Sequence, residues 1–147
     1  MSEVLDTVSS FGAHYVCVTG GEPLAQPGAI PLCKALCDAG YEVSLETSGS
    51  IDISNVDSRV VKVMDLKTPG SLELDKNLYS NIKHLTKNDQ VKFVICDRGD
   101  YEWSKEQLEL HNLAEQVSDV LFSPSFEQIE ARQLAEWVLE DRLPVRF

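Results

Sequence analysis

The chain has 147 residues, 43% of them hydrophobic, and a net charge of −11. This length and apolar content suit one globular domain over residues 1–147 and exclude a disordered chain. The acidity argues against a broad nucleic-acid or membrane-surface footprint, but allows a small anionic substrate held by a few placed cations. No apolar run approaches the roughly 20 residues of a membrane span. The acidic, amphipathic start at Met1–Asp6 is not a signal peptide. Without an export signal, Cys17, Cys33, Cys37 and Cys96 read as free thiols in a reducing cytoplasm, with no disulfide framework.

The pattern along the chain is alternation of helix and strand. Ser2 to Phe11 reads as a helix with Val4, Leu5, Val8 and Phe11 on one face, ended by Gly12. His14 to Val18 is a first strand. Pro31 to Ala39 is a helix, with Pro31 suited to its first position and Gly40 to its exit. Glu42 to Glu46 is a second strand and Arg59 to Leu66 a third. Asn77 to Leu85 reads as a short helix, Gln90 to Cys96 as a fourth strand and Trp103 to Val117 as a helix. Val120 to Phe122 is a fifth strand, Ile129 to Leu139 a helix, and Pro144 to Phe147 starts a sixth strand.

This alternation predicts an α/β fold with parallel strands and crossover helices. Five of the strands end in clusters of Gly, Ser, Thr, Asp, Glu or Lys. In such folds ligands bind at the carboxyl ends of the strands. Glu22, Glu46, Asp65, Lys67, Asp97 and Ser123 are therefore expected on one face. Gly20-Gly21 reads either as a tight turn or as a place where a ligand lies against bare backbone. Lys67 is either a solvated strand end or a contact for a carboxylate or ribose. Ser123-Pro124-Ser125 is either a plain turn or a backbone-lined ligand wall. Cys33 and Cys37, four apart on a helix, read as core residues. His14, His84 and His111 show no zinc spacing, and no metal ligand set is expected within the chain.

Several of these stretches resemble a known family. Thr19-Gly20-Gly21-Glu22-Pro23-Leu24 resembles the Gly-Gly-Glu-Pro motif of radical S-adenosylmethionine enzymes. Four further stretches narrow the resemblance to 7-carboxy-7-deazaguanine synthases: Leu45 to Ser50, Met64 to Ser71, Val91 to Ile95 with Asp97 to Tyr101, and Phe122 to Ser125. The resemblance implies an incomplete radical-SAM barrel, a partial (β/α) barrel with parallel strands. It implies a lyase that converts 6-carboxy-5,6,7,8-tetrahydropterin to 7-carboxy-7-deazaguanine, a ring contraction with loss of ammonia on the path to queuosine. It also implies S-adenosyl-L-methionine, a 4Fe-4S cluster and Mg2+ as cofactors, a reductant such as flavodoxin, and a homodimer. By the same resemblance, Gly20, Gly21 and Glu22 contact the methionine end of S-adenosylmethionine, and Thr19 lies against the pterin. Asp65, Leu66 and Lys67, with Ser123, Pro124, Ser125 and Phe126, line the rest of the cofactor pocket. Glu46 points toward the bound ligands as a substrate contact.

The chain also departs from the family pattern. No cysteine precedes the Gly-Gly-Glu-Pro strand, where the cluster ligands belong, and Cys17, Cys33 and Cys37 fit neither the spacing nor the position. The magnesium-binding threonine and the arginine for the substrate carboxylate belong to the same preceding region. The expectation is a fragment that lacks the cluster-binding part and the C-terminal tail, inactive by itself. Two alternatives stand beside it: a relative of the activases of glycyl-radical enzymes, and a non-catalytic half-barrel that binds partners through its sheet edge.

Overall fold

Along Gln90–Ile95, Val91, Phe93 and Ile95 are buried while Gln90, Lys92 and Val94 are half-exposed. The same period of two runs through the neighbouring strands, so one face of the sheet is packed and the other is open. The computed structural model describes Met1–Phe147. Its strands are β1 (Tyr15–Val18), β2 (Glu42–Thr47), β3 (Val61–Asp65), β4 (Gln90–Ile95) and β5 (Asp119–Pro124). All pair in parallel, in the order β1-β2-β3-β4-β5. Each strand neighbours the next in sequence, so right-handed crossovers place every connection on the same face. The helices are α1 (Ser2–Ser10), α2 (Ala29–Asp38), α3 (Arg98–Leu110), α4 (Leu113–Gln116) and α5 (Ala131–Asp141).

The packed face carries the core. Met64, Val91, Phe93, Val120 and Phe122 meet Tyr101, Leu108 and Leu134 from the helices in one cluster. Phe122 lies edge-to-face against both Phe93 and Tyr101, with centroids 5.5 and 5.9 Å apart. Each fully buried side chain of this size contributes about 1.5–3 kcal/mol. A smaller cluster joins Cys33 and Leu36 of α2 to Val43, Leu45 and Val60. On the other face Tyr15, Cys17 and Glu46 are exposed, and Ser44, Val63, Asp65, Lys92 and Ser123 are half-buried with no helix over them. The sheet does not close, which matches the expected partial barrel of parallel strands.

Several expected elements are corrected. The helix read at Trp103–Val117 starts earlier, at Arg98, because the Asp97 side chain accepts the Asp100 N–H and caps it. It then breaks at Asn112, which adopts φ 49°, and resumes as α4. The helix read at Asn77–Leu85 is a 3-10 segment, Tyr79–His84. The third strand begins at Val61, since Arg59 bonds back to Asp57 and sits in the preceding turn. α2 begins at Ala29, two residues before Pro31; a proline is tolerated there because a first-turn N–H has no intrahelical partner. The sixth strand is a single parallel bridge from Leu121 to Arg146.

Candidate functional site

At the exit of β1 the backbone takes two left-handed steps, Gly20 at φ 103° and Gly21 at φ 58°. Side chains other than glycine's rarely adopt these angles. A Cβ built at either position would meet nothing within 4 Å, so the backbone is bare to its surroundings. The next residue, Glu22, turns inward. Its carboxylate accepts Leu24 N at 3.0 Å, capping the 3-10 turn Pro23–Ala25. It also accepts Thr47 Oγ1 at 2.9 Å, Ser48 N at 2.8 Å and Ser48 Oγ at 2.5 Å. Burial pushes the Glu22 pKa up, but the bonds from Ser48, Leu24 and Thr47 outweigh it and hold the group below the ordinary carboxylate value. Glu22 thus ties the loop after β1 to the loop after β2.

The exit of β3 is held as firmly. Asp65 Oδ2 pairs with Lys67 Nζ at 2.8 Å, while Asp65 Oδ1 is buried without any hydrogen-bond partner. The Leu66 side chain is fully buried in the core, so only its main chain faces outward. Buried Asp100, in the first turn of α3, accepts Gly70 N at 2.7 Å, Thr68 Oγ1 at 3.0 Å and Cys96 N at 3.0 Å. Asn81, also buried, donates to Gly49 O and Ile51 O and accepts Ile53 N, which fixes the loop after β2.

Two polar cavities meet at the Asp65–Lys67 pair. The first, about 150 Å3, is lined by Thr19, Gly20, Gly21, Glu46, Thr47, Ser48, Val63 and Lys92 together with that pair. The second, about 240 Å3, runs from the pair to Thr68, Gly70, Ser71, Val94, Cys96, Ser125 and Gln128. The structure therefore brings together Thr19, Gly20, Gly21, Glu46, Asp65, Lys67 and Ser125 of the expected residues. Ser123 and Pro124 line neither cavity, and Phe126 projects from the rim, 87% exposed. Asp97 also lines neither, because its carboxylate is spent on capping α3.

Lys92, Asn77, Asn81 and Asp100 escaped the reading of the sequence. Lys92 had a signal: it is the charged, odd member of an alternating strand, and therefore faces away from Val91 and Phe93. Asp100 lies in the Asp97–Tyr101 stretch that carries the resemblance but is given no role there, and Asn77 and Asn81 hold loops 10 to 32 residues away, where no local pattern marks them.

The open glycine backbone and the orphaned Asp65 oxygen fit a polar ligand such as S-adenosylmethionine. An iron–sulfur cluster does not fit these residues. It needs converging thiolates, whereas Cys17 stands on β1, Cys33 and Cys37 on α2 and Cys96 after β4, and no three of them come together. No three His, Cys, Asp or Glu side chains converge as a metal site requires. Burial pushes the Cys33, Cys37 and Cys96 thiols up, against thiolate formation. No helix is long and apolar enough to cross a membrane.

The crystal structure of QueE from Escherichia coli superposes with a TM-score of 0.70, at 19% identity, over 98% of this chain and 61% of that one. That of Streptococcus suis SuiB bound to S-adenosylmethionine superposes with a TM-score of 0.66, at 12% identity, over 98% of this chain and 39% of that one. At these identities the likeness speaks of fold alone: an open, parallel α/β half-barrel. No family model matches the chain. It is 42% identical to the 7-carboxy-7-deazaguanine synthase of Koribacter versatilis, over 88% of this chain and 63% of that protein. It is 41% identical to the 7-carboxy-7-deazaguanine synthase of Chlorobaculum tepidum, over 100% of this chain and 68% of that protein. The chain belongs to the 7-carboxy-7-deazaguanine synthase family, and it spans roughly two thirds of the length of these relatives. The activase alternative falls away with this assignment.

Proposed function

We propose that this chain forms the cofactor- and substrate-facing wall of a 7-carboxy-7-deazaguanine synthase. The reaction is the conversion of 6-carboxy-5,6,7,8-tetrahydropterin to 7-carboxy-7-deazaguanine, toward queuosine. One observation carries the reading: two consecutive left-handed glycines with open space above them, beside the Asp65–Lys67 pair and its unpartnered carboxylate oxygen. Gly20 and Gly21 offer main-chain groups to the methionine end of S-adenosylmethionine, and Glu22 holds that loop against the loop after β2. Asp65, Lys67, the main chain of Leu66 and Ser125 face the remainder of the cofactor. Thr19 and Glu46 face the pterin.

Bound S-adenosylmethionine supplies hydrogen-atom abstraction in this class. This chain's residues bind and orient the two reactants and limit competing reactions. The same reading brings Mg2+, a 4Fe-4S cluster, a reductant such as flavodoxin, a homodimer and a cytoplasmic location. No step is assigned to the cluster, because the cysteines here do not fit it, and the chain by itself is read as inactive.

Calorimetric titration of the chain with S-adenosylmethionine tests the pocket. Saturable micromolar binding is expected, abolished by Gly21→Val in a sample with unchanged circular dichroism. A β-branched residue at this φ costs about 1–3 kcal/mol and fills the space over the loop. No binding by folded wild-type chain, or equal binding by the variant, overturns the reading of this pocket as the cofactor site and leaves the family membership standing.

A further inference from the structure

Four residues other than glycine adopt left-handed backbone: Leu72, Asn112, Glu127 and Arg142. Leu72, at φ 59°, is the apolar one, and its side chain is 87% exposed. Glycine takes this position, the exit of the 3-10 turn Pro69–Ser71, at no steric cost. Leucine is strained there and buries nothing in return. Hydrogen bonds hold it in place: Leu72 N donates to Pro69 O at 3.1 Å, Glu73 N to Ser71 Oγ at 3.2 Å, and Ser71 Oγ to Thr68 O at 2.6 Å. A strained residue fixed from both sides, with its apolar side chain turned outward, has the pattern of a ligand clamp. Its place says which ligand. The second cavity has the exit of β4, Val94 and Cys96, as its floor, with the loop after β3 on one side and the loop after β5 on the other. Ser71 and Ser125 line these two walls. Leu72 directly follows Ser71, and Phe126, equally exposed, directly follows Ser125. The cavity thus has polar walls and one apolar residue at each lip. Strands two spacings apart, as β3 and β5 are, stand about 10 Å from each other. A flat ring between two apolar side chains needs about 7–8 Å, twice the carbon–carbon contact distance.

We propose that Leu72 binds the nucleoside end of the cofactor: its side chain lies over one face of the base, across from Phe126, while the polar walls take the ring edge and the ribose. The proposal rests on the reading above, that this cavity receives the part of S-adenosylmethionine beyond its methionine end. The backbone is already fixed, so rotation of the side chain alone lays it over the mouth. Leucine at this angle thus costs folding stability and adds affinity.

Calorimetric titration of the chain with S-adenosylmethionine and with 5′-methylthioadenosine, which keeps the nucleoside and lacks the amino acid, tests this. Leu72→Ser is expected to weaken both ligands about ten-fold, the loss of roughly half a buried leucine. Leu72→Met keeps most of the affinity. Leu72→Gly weakens both ligands as serine does, yet leaves the urea midpoint unchanged or raised, because glycine adopts this backbone freely. Unchanged affinity in Leu72→Ser or in Leu72→Gly overturns the proposal. So does a lowered urea midpoint in Leu72→Gly, which would make Leu72 a folding residue. Sedimentation velocity of the same samples separates a further role: a shift in oligomeric state with Leu72→Ser at unaltered affinity assigns the side chain to a protein contact and overturns the proposal too. Binding of both ligands that ignores Leu72 leaves the cofactor pocket standing, whereas no binding of either by folded wild-type chain removes pocket and proposal together.

Discussion

The Asn77 carboxamide brackets the backbone of Lys67: Oδ1 accepts Lys67 N at 2.9 Å, and Nδ2 donates to Lys67 O at 2.9 Å. Both bonds satisfy main-chain groups that have just left β3 and have no strand partner. They set the direction from which Lys67 Nζ reaches Asp65. Asn77→Ala is expected to lower stability by about 1–3 kcal/mol in urea denaturation and to weaken S-adenosylmethionine binding. Asn77→Asp, which keeps the acceptor and loses the donor, falls between. Unchanged affinity in Asn77→Ala would show that the bracket does not position the site.

Gly70 has no room for a side chain. A Cβ there would lie 2.5 Å from Asp100 Oδ2, the carboxylate that binds Gly70 N. Gly70→Ala therefore forces this loop or α3 to move, at about 1–3 kcal/mol. Asp100→Ala removes the clash but orphans the Gly70 and Cys96 N–H groups. The double variant should accordingly be less destabilised than the sum of the singles, as read from thermal or urea midpoints.

Glu22 gives the acid limb of stability a specific origin. Its folded pKa is below its ordinary value, so its contribution is complete above the unfolded pKa and is lost as pH falls through the folded one. Glu22→Gln removes this titration. Urea midpoints measured from about pH 6 down to about pH 3 should show the gap between wild type and variant narrowing on acidification. A gap independent of pH would contradict this account.

Asp89 is fully buried beneath β3 and pairs with Lys62 Nζ at 3.0 Å. It also accepts Lys62 N at 2.8 Å and Thr86 N at 2.7 Å. Asp89→Ala leaves a buried ammonium unpaired and is expected to cost about 3–5 kcal/mol. Lys62→Met should cost less, because the carboxylate keeps its two N–H donors. Equal losses in equilibrium denaturation would refute the asymmetry.

Iron and sulfide added anaerobically to this chain should give no four-iron absorption and no reductive cleavage of S-adenosylmethionine, since its thiols do not converge. Appearance of both would refute the reading that the cluster is held outside these residues.

Local chemistry alone determined much of this protein. Alternating apolar runs, the glycine pair after β1 and the polar strand ends specify parallel strands with polar residues gathered at their carboxyl edge. These signals lie within a few residues of one another, where periodicity and turn chemistry act. The boundaries at Arg98 and Val61 were less legible, because a capping aspartate and a turn arginine look alike as loop residues. Only the tertiary structure decided which expected residues meet. It spent Glu22 on Thr47 and Ser48, buried the Leu66 side chain and sent Phe126 outward. It also brought Asn77 onto Lys67, Asp100 onto Gly70, and Lys92 beside Asp65. Those partners are joined by strand register and by the return of the chain across the sheet, and a hydrogen bond between distant residues leaves no periodic trace in either segment.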